Sequence, residues 1–150
     1  MRIQVAIDIR AESQKIWNTI SDVNSWQSMI RGIEKIEVLN QSKKGLMGLK
    51  WKETRILFGK SATEIMWVTA VEPGKGYTVN AESHGARYIT EINIEEKTDC
   101  CRLIQEFQSI PQTLGAKILG LIFGAMMKKS VIKGLESDLA DIKAAIENSP

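Results

Sequence analysis

The chain has 150 residues, enough for one domain (residues 1–150) that buries roughly 70% of the surface its unfolded form exposes. An apolar fraction of 43% and a charged fraction of 25% exclude a disordered or fibrous chain, and a net charge of +2 carries no sign of a nucleic-acid partner. One histidine and two cysteines are too few for a His/Cys zinc cage within one chain, so no metal site is predicted.

The opening Met1 to Arg10 alternates apolar and polar residues, with Ile3, Val5, Ile7 and Ile9 on one face. That pattern predicts a half-buried strand, not a signal peptide. A short helix follows, with Ser13 as its expected N-cap and Ile16, Trp17 and Ile20 on its apolar side. Ser21-Asp22 caps a second short helix ending near Met29, which Gly32 stops.

From Ile33 the pattern changes to strands. Turn signals at Asn40–Gly45, Phe58-Gly59-Lys60, Pro73–Gly76, Ser83-His84-Gly85 and Glu95–Asp99 divide six of them. Connections this short predict an antiparallel meander. The adjacent Cys100 and Cys101 point to opposite faces of a strand and cannot bridge without strain, so both are expected as free thiols in a reducing cytoplasm.

Ser109-Ile110-Pro111-Gln112 has the form of a capping box, which starts the last helix there. Val131, Leu135, Leu139, Ile142 and Ile146 recur at helical spacing, an apolar stripe meant to lie on the sheet. The apolar run Leu114–Met127 is 14 residues long and contains Lys117, short of the roughly 20 that a bilayer span requires.

Ile9-Arg10-Ala11, Ile16-Trp17, Ile20-Ser21-Asp22-Val23 and Trp26 resemble the opening of the START-like superfamily, which includes the Bet v 1-like proteins and the polyketide cyclase/dehydrase group. Gly48–Glu53, Val68-Thr69 and Glu72-Pro73 are similar to its middle strands, and Leu135–Leu139 with Ile142-Lys143 to its ending. Met29 stands where many relatives carry an aromatic residue. The resemblance implies an α+β helix-grip fold: a seven-stranded curved antiparallel sheet, two short helices and a long C-terminal helix packed across it, enclosing an apolar cavity. It also implies a small hydrophobic ligand such as a lipid, quinone or polyketide, or a cyclase/dehydrase-type reaction.

The hairpin around Phe58-Gly59 carries the most chemistry. A two-residue loop makes partner numbers sum to 117, which sets Glu53 opposite Glu64 and Trp51 opposite Met66, with Arg55 diagonal to Glu64 on the concave face. Such a group would orient a polar head group or supply a general acid. A loop one residue longer instead pairs Trp51 with Trp67 and turns Glu64 outward; a third arrangement leaves the charges at a wet rim. His84 sits on a turn that flanks the cavity mouth in relatives such as the plant hormone receptors, where a solvated side chain and a ligand contact are both open readings. Tyr88 and Phe107 are expected to line the sheet side of the cavity. Gln105 is either a cavity hydrogen-bonder or a satisfied core polar group.

Leu114, Ile118 and Ile122 are expected on the helix side. Ala116, Gly120 and Gly124 recur every four residues, for close approach to the sheet, for ligand volume, or for a flexible lid. Residues 112–135 hold Lys117, Lys128, Lys129 and Lys133 and no acidic residue, which suits either a solvated lysine face or transient contact with an anionic membrane surface. No G-x-S-x-G elbow, phosphate loop or dinucleotide fingerprint is present, so no cofactor is predicted. A docking module using an outer patch around Ile65 and Trp67 is the remaining class. The oligomeric state is not legible in the chain.

Overall fold

The computed structural model describes residues 1–40, 45–57 and 59–150. Phe58 and positions 41–44 of the expected Asn40–Gly45 turn lie outside the described residues. The elements follow the order strand, two helices, six strands, helix: β1 (Arg2–Ile9), α1 (Ser13–Ile20), α2 (Val23–Met29), β2 (Ile33–Asn40), β3 (Lys50–Leu57), β4 (Lys60–Glu72), β5 (Gly76–Ser83), β6 (Ala86–Glu96), β7 (Cys101–Pro111) and α3 (Leu114–Glu147).

All seven strands form one antiparallel sheet in the order β1-β7-β6-β5-β4-β3-β2. Register breaks at Ile33/Lys35, Val38/Asn40 and Val68/Ala70 bend β2 and β4. Irregularities of that kind increase local twist and curl the sheet into a palm. Ile3, Val5 and Ile9 of β1 and Leu103 of β7 are buried on its concave side, with Ile16 and Ile20 of α1 and Leu139 and Ile146 of α3 packed over them. Two short helices close the same side, where Trp26 of α2 meets Trp51 of β3 edge to face at 5.4 Å.

Two helix starts differ from the sequence reading. Glu12, not Ser13, is the N-cap of α1, and the Ser13 hydroxyl instead donates to Glu96 Oε1 at 2.7 Å. Ser109-Ile110-Pro111 belongs to β7, because Tyr88, Arg87 and Ala86 of β6 pair with it to the end. The helix starts after Thr113, whose hydroxyl accepts the Ala116 N–H at 3.1 Å. Proline at the last strand position donates nothing to the ladder and marks the strand's end, not the first turn of a helix.

The two halves of α3 differ. The second half is tied on three sides: Asp138 to Arg55 of β3, Asp141 to the Arg31 N–H and side chain, and Lys143 Nζ to the Asp8 carbonyl. Leu139 and Ile146 are buried, and Val131, Leu135 and Ile142 pack against the core. The first half stands clear of the palm, and Leu114, Ile118 and Ile122 are exposed, not enclosed. A Cβ added at Gly120 or Gly124 would meet nothing, so close approach to the sheet is not what these glycines serve.

Candidate functional site

Leu57 pairs with Lys60, and every pair of the β3–β4 hairpin follows from it: Trp51 faces Met66 and Glu53 faces Glu64. This is the two-residue-loop register, so Trp51, Glu53, Arg55, Glu64 and Met66 share the concave face. Lys52 and Thr54 turn to the other side, where Thr54 and Thr63 exchange a hydroxyl hydrogen bond. On that outer face Ile65 is exposed and Trp67 half-buried.

Arg55 is the hub of a buried ionic cluster. Its Nη2 lies 3.2 Å from Glu53 Oε1 and 2.9 Å from Asp138 Oδ2, and its Nη1 donates to Asp138 Oδ1 at 3.1 Å. Both carboxylates are shielded, with side-chain exposures of 4% for Glu53 and 9% for Asp138, whereas Arg55 keeps 27%. Burial pushes the carboxyl groups of Glu53 and Asp138 up, and the neighbouring guanidinium offsets this only in part. Two carboxylates on one guanidinium leave a surplus negative charge in a poorly hydrated place, which favours a proton on one of them. Gly32 lies beside the cluster: a Cβ there would sit 3.1 Å from Arg55 Nη1 and 3.4 Å from Asp138 Oδ1.

The chain sequence pointed to Glu53, Arg55 and Glu64 but not to Asp138. Glu64 does not join the cluster through Arg55; it accepts a hydrogen bond from Ser83 at 3.0 Å. The signal for Asp138 was its phase. It lies three residues after Leu135 and four before Ile142, on the buried stripe of α3, where an isolated carboxylate needs a partner. Trp51 carries a second unusual group, a buried indole N–H with no hydrogen-bond acceptor among the described residues.

The remaining candidates lie across the palm. Tyr88 and Phe107 stack, with ring centroids 5.8 Å apart and planes 20° from parallel. Gln105, half-buried, sits between Val5 and Ile92 in the ladder. His84 is exposed at a positive φ of 51° on the two-residue turn between β5 and β6. That turn touches the root of α3: the Gly85 carbonyl accepts the Gln112 N–H at 2.7 Å. The twelve candidates therefore form a β3–β4 group around the ionic cluster, an aromatic group on β6–β7, and a rim and helix group that faces solvent. A hollow of about 420 Å³ lies between α1, α2 and the β4–β5 turn, lined by Trp17, Asp22, Leu46, Leu49 and Val71 among others, and contains none of the twelve. No helix among the described residues is long and apolar enough to cross a membrane.

Comparison with known proteins agrees with this architecture. TTHA0849 from Thermus thermophilus superposes with a TM-score of 0.83 at 11% identity, covering 99% of this chain and 98% of that one. A START superfamily protein from Mycobacterium smegmatis gives 0.80 at 15% identity, covering 98% and 97%. The Zhui aromatase/cyclase from Streptomyces sp. R1128 gives 0.76 at 14% identity, covering 98% and 93%. Identities this low speak for the shared fold alone. A search of curated proteins found no match. The profile of the family described as "Polyketide cyclase / dehydrase and lipid transport" matches residues 1–147, nearly the whole length, and the chain belongs to that family.

Proposed function

We propose that the protein binds a small, mainly apolar molecule with one polar end between the palm and α3. The observation that carries this reading is the Glu53–Arg55–Asp138 cluster, a set of charges buried on a mainly apolar concave face beneath a helix whose first half stands open. Polar groups few in number and fixed in place orient a ligand, while the surrounding apolar wall supplies affinity. Arg55, the least buried member, would meet the polar end. Met66, the Tyr88–Phe107 stack, Gln105 and the inner side of α3 would contact the body of the molecule. Closure of the inner side of the first half of α3 over the guest, with His84 at the hinge, would complete the site. Native mass spectrometry of the purified chain, and solvent extraction of what it carries, test the proposal. A guest bound by the parent chain and lost in Arg55→Met with the fold intact supports it; a chain that emerges empty under every extraction ends it.

The raised carboxyl of Glu53 favours a second reading, a cyclase/dehydrase-type enzyme in which Glu53 gives or takes a proton and Arg55 holds an oxyanion. Turnover of a polyketide-like substrate that disappears in Glu53→Gln, while the guest still binds, would select the enzyme over the carrier.

A further inference from the structure

The first half of α3 carries more apolar surface than its own palm can cover. At 100° per residue, Leu114, Ile118, Leu121, Ile122 and Met126 fall within one arc of roughly 140°. Ala116, Gly120, Phe123, Gly124 and Met127 lie on the other side. The outer arc is the more exposed: Leu121 is 88% accessible, and Leu114, Ile122 and Met126 all exceed Phe123 and Met127. Leu121 and Leu114 are in phase with the core residues Leu139 and Ile132, so closing the helix onto the palm would draw them inward with the inner side and leave Ile118, Ile122 and Met126 in water. A lid needs one apolar face; this helix has two.

The charges on the segment indicate what covers the second. Lys117, Lys128, Lys129 and Lys133 are the charged residues of positions 112–135, while the carboxylates of α3 (Glu136, Asp138, Asp141 and Glu147) all follow. A symmetric pairing of two copies through this face would set four lysines against four more, with no acid between them. An anionic phospholipid surface meets both demands, taking the apolar side chains into the acyl boundary and the ammonium groups among the phosphates. Exposed Ile110 at the end of β7 adjoins the start of the helix, and exposed Ile56 and Leu57 stand at the same end of the sheet. We infer that the first half of α3 docks on anionic membrane surfaces, lying in the interface without crossing it.

The test uses the full chain with sedimented vesicles of phosphatidylcholine alone or mixed with phosphatidylglycerol. The expected result is partition onto the mixed vesicles only, weakened by salt. Lys128→Gln and Lys129→Gln each lower it about fivefold, and Leu121→Gln with Ile122→Gln abolishes it. These positions are exposed, so their replacement should leave the circular dichroism unchanged. Equal binding to neutral vesicles, or lysine variants that bind like the parent, would overturn the inference. So would absence of vesicle binding, including the case of a dimer that Leu121→Gln disperses. Vesicle binding and the carrying of a guest are separate readouts, so either proposal can fail without the other.

Discussion

Arg55 of β3 and Asp138 of α3, 83 residues apart, grip each other two-pronged at 3.1 and 2.9 Å across the concave face. Parallel contacts of this kind fix both distance and angle, so the pair sets where the long helix lies over the far strands. Glu53 shares the same guanidinium and makes it indispensable to both carboxylates.

Removing the guanidinium is therefore the costliest change in the cluster. Arg55→Met keeps the stem and leaves Glu53 and Asp138 buried without a counter-charge, for an expected loss of about 3 kcal/mol at neutral pH. Asp138→Asn retains an acceptor for Arg55 and removes one of the competing charges, and it should cost only about 1 kcal/mol. Urea midpoints for the two variants check the order; an Asn variant as unstable as the Met variant would show that the ion pair itself, not satisfaction of Arg55, holds the helix.

The pH dependence follows from the direction of the shifts. Glu53 and Asp138 lie above their ordinary values of 4.5 and 3.8, chiefly through burial, so the folded state binds their protons more tightly than the unfolded state. Their contribution is complete below the unfolded values and is lost as pH rises through the folded ones. Asp8 and Glu147 are shifted down, foremost by hydrogen bonds from Arg102 and Lys143, and act in the opposite sense: their contribution is lost as pH falls through their folded values. Thermal stability should peak near the ordinary carboxylate values and decline toward neutrality. Scanning calorimetry against pH checks this, and Glu53→Gln should flatten the decline on the alkaline side.

The sheet was legible because strand pairing is arithmetic. A two-residue turn at 58–59, with alternation on either side, is enough to put Glu53 opposite Glu64. Two helix starts are not legible because Ser13 has a cap's chemistry and Ser109 a whole capping box, yet neither caps a helix. Ser13 bonds instead to Glu96 and Ser109 sits opposite Tyr88, partners brought in by the tertiary fold and invisible in a local window. The regular aliphatic repeat around Asp138 argues for packing and hides a partner, Arg55, that lies 83 residues away. The lift of α3 off the palm had no local signal either; the amino acids of 114–127 are as apolar as those of a buried helix.

Glycines 32 and 120 should respond to the same substitution with opposite signs. Gly32→Ala pushes a methyl to 3.1 Å from a guanidinium held by two carboxylates, for a cost of about 1 kcal/mol. That cost should shrink in an Arg55→Met background, a coupling a double-mutant cycle reads directly. Gly120→Ala enters open space and gains helix propensity of about 0.8 kcal/mol. Slower amide exchange around residue 120 is the expected sign of it.

The start of α3 hangs on Thr113, whose hydroxyl is the only side-chain cap described for any of the three helices. Thr113→Ala should cost about 1 kcal/mol of local stability, seen as roughly fivefold faster amide exchange in the first turn. Ser109→Ala, in a strand, should leave that turn untouched. Gly85→Ala strikes the same hydroxyl from the other side, since its Cβ would lie 2.5 Å from Thr113 Oγ1 and its φ of 73° disfavours any side chain. If Gly85→Ala and Thr113→Ala speed exchange of the same amides, the β5–β6 turn and the root of α3 open as one unit.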